Sequence, residues 1–245
     1  MLEKKVLYSH VLLIGSNSDI GRAILRIIPI SESAELTLIG RDAVESNHSS
    51  TRFTKNNFFR HDLMESSNLL ELDNFIHSLP NIDLVIVASA TLPDENEETN
   101  FNSVFRTFET NSTGIATVIS MIINKLRFQK CGDLLYISSV AAMRPRLRNF
   151  TYGASKIGSE FYVLGLAEKY RRQGLNIKIL RPGYVFTKMS ANFKPAPFSI
   201  SVETAASRAL GCLSRRTTVA YAPRILKIVM PIAQLLPRYI FNRIN

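Results

Sequence analysis

The sequence predicts an α/β fold in which a doubly wound parallel sheet carries helices on both faces, and three observations support this. Short runs of consecutive apolar residues recur along the chain, as in strands buried on both faces. Segments with the apolar spacing of helices separate these runs. A glycine-containing turn, Gly15 to Gly21, joins the first run to the first helical segment. Such sheets bind ligands along the carboxyl ends of their strands, so functional residues are expected there.

The chain of 245 residues is long enough to bury a sizeable core, and no linker, repeat or low-complexity run divides it. We therefore predict one domain over residues 1–223, extended by a basic amphipathic segment at 224–245. The formal net charge of +10 favours an anionic partner: nucleic acid, a membrane surface or a phosphorylated substrate. Nucleic acid is the least favoured, since there is no RNA-binding signature or zinc-finger spacing. The two cysteines, Cys131 and Cys212, imply neither a disulfide framework nor a metal site.

The amino terminus places Lys4 and Lys5 ahead of the apolar residues 11–14, a pattern that imitates a short signal sequence. The run is too brief for a signal peptide and no small-residue cleavage site follows it, so we interpret it as the first strand. The expected location is the cytoplasm or the periphery of a membrane, without a membrane-spanning helix.

The turn after the first strand is a candidate phosphate-binding loop, followed by a helical segment at 22–28. A glycine turn lets the backbone approach a pyrophosphate, and the helix amino terminus supplies N–H groups and partial positive charge. An ordinary strand-to-helix turn is the alternative. The candidate cofactor contacts here are Gly15, Ser16, Asn17, Asp19, Ile20 and Gly21.

The second predicted strand, residues 36–39, ends at Gly40-Arg41-Asp42. This position follows Gly21 by about twenty residues, where dinucleotide folds meet the adenosine ribose. Arg41 suits the 2′-phosphate of NADPH, whereas Asp42 would accept the ribose hydroxyls of NADH. We favour NADH slightly, because Asp42 and Asp19 would repel the additional phosphate.

Two further strands each lead into candidate cofactor contacts. The strand at 53–59 precedes Asp62 and Leu63, and Asp62 could accept an adenine amino group or be a solvated loop residue. The strand at 82–88 enters a turn of small residues that would allow a ribose to pass close to the backbone. The candidate contacts in that turn are Ala88, Ser89 and Ala90.

The middle of the chain is predicted to contain a loop and a long helix. The acidic stretch 94–98 is expected to be a solvated loop, and residues 101–124 have a helical pattern. Asn111 is unusual inside a helix, so it either caps a bend or has a functional role.

The remaining strands are predicted at 134–137, 177–180 and 219–222. The first runs into Ser139, and the second is followed by further candidate cofactor contacts. Those contacts are Pro182, Gly183, Val185 and Thr187.

Tyr152 and Lys156 are four residues apart, which places them on one face of a helix. A lysine ammonium group stabilises phenolate, so the tyrosine pKa is expected to fall from about 10 towards neutral pH. Such a phenol can act as a general acid or base. Taken alone, this spacing is more often found on an ordinary helix surface.

Together these motifs resemble the short-chain dehydrogenase/reductase family, over nearly the whole chain. Asp19 stands where the family usually has glycine, and 87–90 replaces its usual Asn-Asn-Ala-Gly, which indicates a subgroup. The positions that carry the resemblance are Gly15, Gly21, Asp62, Asn111, Ser139, Tyr152, Lys156, Pro182, Gly183 and Thr187.

The resemblance implies a single-domain Rossmann-like reductase that uses NADH or NADPH and forms dimers or tetramers. Reduced nicotinamide would deliver hydride to a keto carbon, Tyr152 would protonate the alkoxide, and Ser139 would donate a hydrogen bond to the same oxygen. Lys156 would hold the nicotinamide ribose, and Asn111 would carry a water that relays protons through Lys156. The residues expected at the carboxamide are Val185 and Thr187.

Within the family, residues 138–156, 181–191 and 221–241 are similar to reductases of polyprenylphosphoryl keto-pentoses. This similarity implies a lipid-linked sugar substrate and a FAD-dependent oxidase as the partner that makes the ketone. The candidate substrate-phosphate contacts are Arg144, Arg146 and Arg148, with a solvated basic loop as the alternative.

The carboxy-terminal segment interleaves apolar residues with the basic Arg224, Lys227, Arg238 and Arg243. Its uncharged stretch, 228–237, is far shorter than the ~20 residues that span a bilayer. We expect it to lie on an anionic membrane or to cap a partner subunit.

Two alternative functions follow from the same residues. One is a soluble ketone or 3-ketoacyl reductase of the same family. The other is a catalytically silent dinucleotide sensor or scaffold, against which the presence of Ser139, Tyr152 and Lys156 argues.

Overall fold

In the computed structural model the chain forms one seven-stranded parallel sheet with helices on both faces, as predicted. The structure describes residues 7–43, 50–237 and 239–241. Lys4, Lys5, Arg238 and Arg243, named above, lie outside the described residues. The strands are β1 (Tyr8–Ile14), β2 (Ile30–Gly40), β3 (Lys55–Arg60), β4 (Leu84–Val87), β5 (Gly132–Ile137), β6 (Leu175–Pro182) and β7 (Val219–Ala222).

The strand order is β3-β2-β1-β4-β5-β6-β7, and every neighbouring pair is parallel. The order reverses between β1 and β4, because the chain crosses back over β1 after β3. In doubly wound sheets, a crevice opens at this reversal, outside the carboxyl ends of the strands.

Helices cover both faces of the sheet. They are α1 (Asp19–Ile27), α2 (Leu69–Ser78), α3 (Phe101–Phe108), α4 (Ile115–Gln129), α5 (Phe150–Tyr170), α6 (Val202–Leu213) and α7 (Leu226–Leu235). A π-helical segment, Glu109–Gly114, joins α3 to α4. No helix in the described part of the chain is long and apolar enough to cross a membrane.

Two apolar layers form because alternate residues of each buried strand point to opposite faces of the sheet. Leu12 and Ile14 pack towards α2, α4 and α5, whereas Val11 and Leu13 pack towards α1 and α6. All four side chains are at most 1% exposed. This burial on both sides explains why β1 is a continuous apolar run rather than an alternating one.

Strand β2 is longer than the prediction of residues 36–39. It begins at Ile30, and its register against β1 shifts between the pairs Tyr8–Ile30 and His10–Glu35. The added residues are largely polar and only partly buried, so they lack the apolar run that indicates a strand.

Helix α7 docks on the loop that follows β5. Leu226 and Met230 are buried against Val140. The opposite side of α7 leaves Ile232 and Leu235 exposed to solvent.

Candidate active site

A cleft of about 740 Å³ lies along the carboxyl ends of the strands. It brings together most residues that the sequence nominated, although they are far apart in the chain. Those lining it are Gly15, Ser16, Asn17, Asp19, Ile20, Arg41, Asp62, Leu63, Ala88, Ser89, Ala90, Ser139, Arg146, Arg148, Tyr152, Lys156, Pro182, Gly183, Val185 and Thr187.

Three nominated residues, Gly21, Asn111 and Arg144, do not line this cleft. Gly21 is buried within α1, and a Cβ there would lie 2.8 Å from Leu13 Cδ1. Gly21 therefore allows α1 to pack closely on β1, and its contact with a cofactor remains a prediction.

The first turn has the form required of a phosphate-binding loop. Gly15 has a φ of +95°, and a Cβ there would lie 2.9 Å from the backbone nitrogen of Ser89. A side chain at Gly15 would thus be strained and would collide with the turn after β4. Ser18 caps α1 by accepting a hydrogen bond from Gly21 N at 3.1 Å. The close approach of the two turns and the helix amino terminus beside them fit a dinucleotide pyrophosphate.

Arg41 and Asp42, the two charged residues that bear on the choice between NADH and NADPH, both line the cleft. Asn17 Nδ2 donates to the Asp42 carboxylate at 2.8 Å, which fixes that carboxylate at the cleft. Asp19 accepts a hydrogen bond from Lys188 N at 2.8 Å, so it ties the first turn to the loop after β6. Arg22 donates to Ser16 O at 2.8 Å and thereby supports the turn.

Ser139 follows β5 and begins the short 3-10 helix Val140–Met143. Its hydroxyl accepts a hydrogen bond from Ala141 N at 3.1 Å. Helix α5 passes close to this segment: a Cβ added to Gly153 would lie only 2.7 Å from Ala141 O. The glycine next to Tyr152 therefore permits the approach of α5 to the Ser139 loop.

Tyr152 lies in the first turn of α5 and lines the cleft. Burial raises the pKa of its phenol to about 12, while the adjacent Ser139 hydroxyl acts to lower it. The expected fall of this pKa towards neutrality is therefore wrong for this structure. Tyr152 is a neutral phenol at neutral pH, which is the proton-donating form.

Lys156 is 1% exposed and lies one helical turn after Tyr152. Its Nζ donates to Ile137 O at 3.0 Å and to the Tyr136 hydroxyl at 3.3 Å. Burial lowers the Lys156 pKa to about 7, although Glu160 acts to raise it. Lys156 loses its charge near pH 7 and bonds to β5, so it does little to stabilise a phenolate at Tyr152. Burial therefore dominates, and the pKa of Tyr152 is raised.

Beneath Lys156 lies a buried ionic network that the sequence analysis did not identify. Glu160 is 2% exposed and accepts hydrogen bonds from Arg181 Nε, at 2.9 Å, and from the Ser138 hydroxyl. Arg181 also donates to the Tyr221 hydroxyl at 2.7 Å. The network thus ties α5 to the ends of β5, β6 and β7. Its only sequence signal is the position of Glu160 four residues after Lys156.

Asn111 lies in the π-helical segment and is fully buried. Its Nδ2 donates to Thr91 O at 2.7 Å and to Ser155 Oγ at 3.0 Å, and its Oδ1 accepts from Thr91 N at 2.7 Å. The side chain therefore joins the loop after β4 to α5, as expected for a π-bulge at a functional site. Asn111 positions this loop, and its role in proton relay remains a prediction.

The prediction that 94–98 is a solvated loop is wrong at Glu98, which is 6% exposed. The Glu98 carboxylate accepts a hydrogen bond from Thr151 N at 2.8 Å, and Thr151 Oγ1 donates to Glu98 O at 2.9 Å. Asn149, the N-cap of α5, makes no side-chain capping bond. Glu98 therefore replaces the missing cap directly beside Tyr152.

We expect Glu98→Ala to lower the free energy of unfolding by about 1.5 to 3 kcal/mol, because it removes a charge-assisted bond to a buried N–H. It should also lower kcat about tenfold while leaving cofactor affinity unchanged, because only the start of α5 moves. Glu97→Ala is the matched control, since Glu97 is exposed and its carboxylate accepts a hydrogen bond only from the Ser103 hydroxyl among the described residues. Equal effects of the two substitutions on kcat would contradict the positioning role.

The three nominated arginines have different environments. Arg144 donates to Ala233 O and, at 2.8 Å, to Leu236 O, and it stacks 4.0 Å from the Phe241 ring. It therefore holds the carboxy-terminal segment and does not line the cleft, and its contact with a substrate phosphate remains a prediction. Arg146 and Arg148 do line the cleft.

Several residues that line the cleft were missed because they lie in loops without a distinctive pattern. His61 is buried and bonds to Asn68 at 2.8 Å. Asn149 also lines the cleft, and its buried Oδ1 has no hydrogen-bond partner in the described part of the chain. The loop after β6 adds Tyr184, Lys188, Met189 and Phe193.

Comparison with known proteins agrees with this geometry. Residues 9–197 match the family model described as short chain dehydrogenase. An uncharacterized oxidoreductase of Mycobacterium tuberculosis is 28% identical over 163 residues, 66% of each chain, so the chain spans slightly less than two thirds of that relative. An acetoacetyl-CoA reductase of an Acinetobacter species is 23% identical over 198 residues, 77% of each chain.

Among solved structures, a short chain dehydrogenase from Burkholderia cenocepacia, in complex with NADP, superposes with a TM-score of 0.81. It is 15% identical, and the superposition covers 98% of this chain and 99% of the other. At that identity, the similarity establishes the fold alone.

Proposed function

The chain belongs to the short-chain dehydrogenase family of NAD(P)-dependent oxidoreductases, and on that premise we propose that it reduces a keto group to a secondary alcohol. The proposed substrate is the 2-keto pentose of a polyprenylphosphoryl sugar. The reaction would thus be the second half of an epimerisation whose first half, oxidation of the sugar, is carried out by a FAD-dependent partner.

One observation carries the proposed chemistry: Tyr152 lines the cleft beside the Ser139 hydroxyl, and burial raises its pKa to about 12, so its phenol is neutral. Reduction of a ketone requires a proton for the developing alkoxide, and a neutral phenol supplies it. Ser139 lies beside that phenol and offers a hydroxyl to the same oxygen.

The cofactor supplies the hydride when it is bound. Gly15 and Ser16 would lie at its pyrophosphate, Asp42 at its adenosine ribose, and Val185 and Thr187 at its carboxamide. Lys156, which is fixed between β5 and α5, would hold the nicotinamide ribose. These residues would hold the nicotinamide end of the cofactor on the Ser139 and Tyr152 side of the cleft.

The choice of substrate rests on the residues around the cleft entrance. Residues 138–156, 181–191 and 221–241 resemble decaprenylphosphoryl-2-keto-erythro-pentose reductases. Arg146 and Arg148 provide positive charge at the cleft, suited to a phosphate. The exposed apolar side chains of α7, with Lys227 among them, suit an anionic membrane surface. A homo-oligomer is part of the same proposal.

The second candidate is a soluble ketone or 3-ketoacyl reductase, and a specific observation favours it: one relative is an acetoacetyl-CoA reductase. The same Ser139, Tyr152 and Lys156 would serve that reaction. A dinucleotide sensor without turnover is less favoured, because the proton donor and its hydrogen-bonding neighbour both face the cleft.

The test is a comparison of substrates with purified protein and reduced cofactor. We expect kcat/KM for a lipid-linked keto-pentose to exceed that for acetoacetyl-CoA at least tenfold, or about 1.4 kcal/mol. A higher kcat/KM for acetoacetyl-CoA than for the lipid-linked keto-pentose would favour the 3-ketoacyl reductase instead. No turnover of any ketone would favour the sensor.

Cofactor choice provides a separate prediction. We expect the wild type to prefer NADH, and Asp42→Asn to shift the ratio of kcat/KM towards NADPH about tenfold, because it removes a carboxylate fixed at the ribose end of the cleft. Glu65→Gln is the control for loss of an exposed carboxylate nearby in the chain. A wild-type preference of tenfold for NADPH would contradict the assignment.

A further inference from the structure

A second cavity, of about 710 Å³, lies beside the catalytic cleft. It is formed between the loop that precedes α5 and the carboxy-terminal segment, and we name it the C-terminal groove. Its principal walls are Arg146, Leu147 and Phe150 on one side and Leu236, Pro237 and Phe241 on the other. Apart from Arg146, these side chains are apolar.

The groove adjoins the catalytic cleft. Arg146 and Leu147 line both cavities, so they stand at the junction. Leu147 is 62% exposed although it is a large apolar residue. A ligand in the cleft can therefore extend past these two residues into the groove.

The junction carries a cation whose hydrogen-bonding capacity is largely unused. Arg146 approaches only Met230 Sδ, at 3.8 Å, and its buried Nε has no hydrogen-bond partner within the described residues. A largely buried guanidinium without an anionic partner is unfavourable, and an anionic group of a ligand at the junction would pair with its charge. Burial also lowers the pKa of Arg146, as expected for a cation without a partner.

The walls of the groove are held in place independently of any ligand. Arg144 bonds to two carbonyl groups at the end of α7 and stacks on Phe241. Gln234 Nε2 donates to Met143 O at 2.7 Å. The carboxy-terminal segment is thus fixed against the loop as a formed wall.

We propose that the C-terminal groove binds the apolar chain of an amphiphilic substrate whose anionic group lies at Arg146. This inference rests on the proposed function and assigns the two ends of its substrate to separate residues. The keto group lies at Tyr152, the phosphate at the junction, and the first part of the chain in the groove.

Calorimetric titration with two alkyl phosphates, each below its micelle concentration, tests the proposal without turnover. Wild-type protein should bind decyl phosphate at least about tenfold more tightly than butyl phosphate, because the longer chain buries more apolar surface. Leu147→Glu should reduce this ratio to about one. Leu235→Glu is the matched control, since Leu235 is 86% exposed on α7 outside the groove, and it should keep the wild-type ratio.

Arg146→Gln should weaken binding of both phosphates about tenfold without changing their ratio, and Arg146→Lys should restore much of the affinity. Equal affinity of the wild type for the two phosphates would overturn the proposal. Loss of the ratio in Leu235→Glu as well as in Leu147→Glu would also overturn it, because the chain would then bind to the outer surface of α7.

The outcomes separate this inference from the proposed function. Reduction of the lipid-linked keto sugar without any preference for decyl phosphate would remove the groove assignment and leave the proposed function intact. A groove-dependent preference for decyl phosphate without reduction of the sugar would remove the proposed substrate and support the groove as a site for another anionic amphiphile.

Discussion

Tyr152→Phe is expected to lower kcat for ketone reduction about 1,000-fold or more, with cofactor affinity changed less than about twofold. The substitution removes the proton donor, and general acid catalysis contributes about 100-fold to 10,000-fold. It keeps the aromatic ring, so little binding surface is lost. Stopped-flow measurement of cofactor oxidation gives the rate, and titration of cofactor fluorescence gives the affinity.

Tyr162→Phe is the matched control, because Tyr162 lies on the same helix and does not line the cleft. It should retain near wild-type kcat. A Tyr152→Phe protein that reduces substrate at a near wild-type rate would show that another group donates the proton.

Glu160→Gln is expected to lower the free energy of unfolding by about 3 kcal/mol. The substitution leaves the Arg181 guanidinium largely buried and without its carboxylate partner, and such uncompensated charges are costly. Glu168→Gln is the control on the same helix: Glu168 pairs with Arg171 at the surface, and its loss should cost less than about 1 kcal/mol. Urea unfolding measures both.

The same substitution should also change the pH dependence of kcat. Glu160 raises the Lys156 pKa against the lowering caused by burial, so without Glu160 this pKa falls below about 7. If charged Lys156 is the active form, the loss of kcat with rising pH then begins at a lower pH. An unchanged profile would contradict the coupling of Glu160 to Lys156.

The sheet could be predicted because burial on both faces requires apolar runs such as residues 11–14 and 84–87. Most cleft residues could be predicted too, because each follows such a run and the carboxyl ends of parallel strands meet at one edge. The polar first half of β2 could not be predicted, since it lacks a run of consecutive apolar residues.

The roles of residues that act through tertiary contacts could not be predicted from the sequence. Glu98 belongs to an acidic stretch typical of solvated loops, and only the fold brings it to Thr151 N. Arg144 and Arg146 are two residues apart and were interpreted alike, yet one holds the carboxy-terminal segment and the other lines the cleft. The pKa of Tyr152 depends on which groups the Lys156 ammonium contacts. The spacing of the two residues on a helix does not determine those contacts.

In the proposed reaction, reduced cofactor bound in this cleft would supply hydride to a keto carbon while Tyr152 supplies the proton. The most direct test uses reduced cofactor deuterated at the transferring position, lipid-linked keto-pentose, and mass spectrometry of the product. We expect a secondary alcohol with one deuterium on the former keto carbon, and about 1,000-fold slower formation of this alcohol by the Tyr152→Phe protein. An alcohol without deuterium, or labelled alcohol formed equally fast by both proteins, would contradict it.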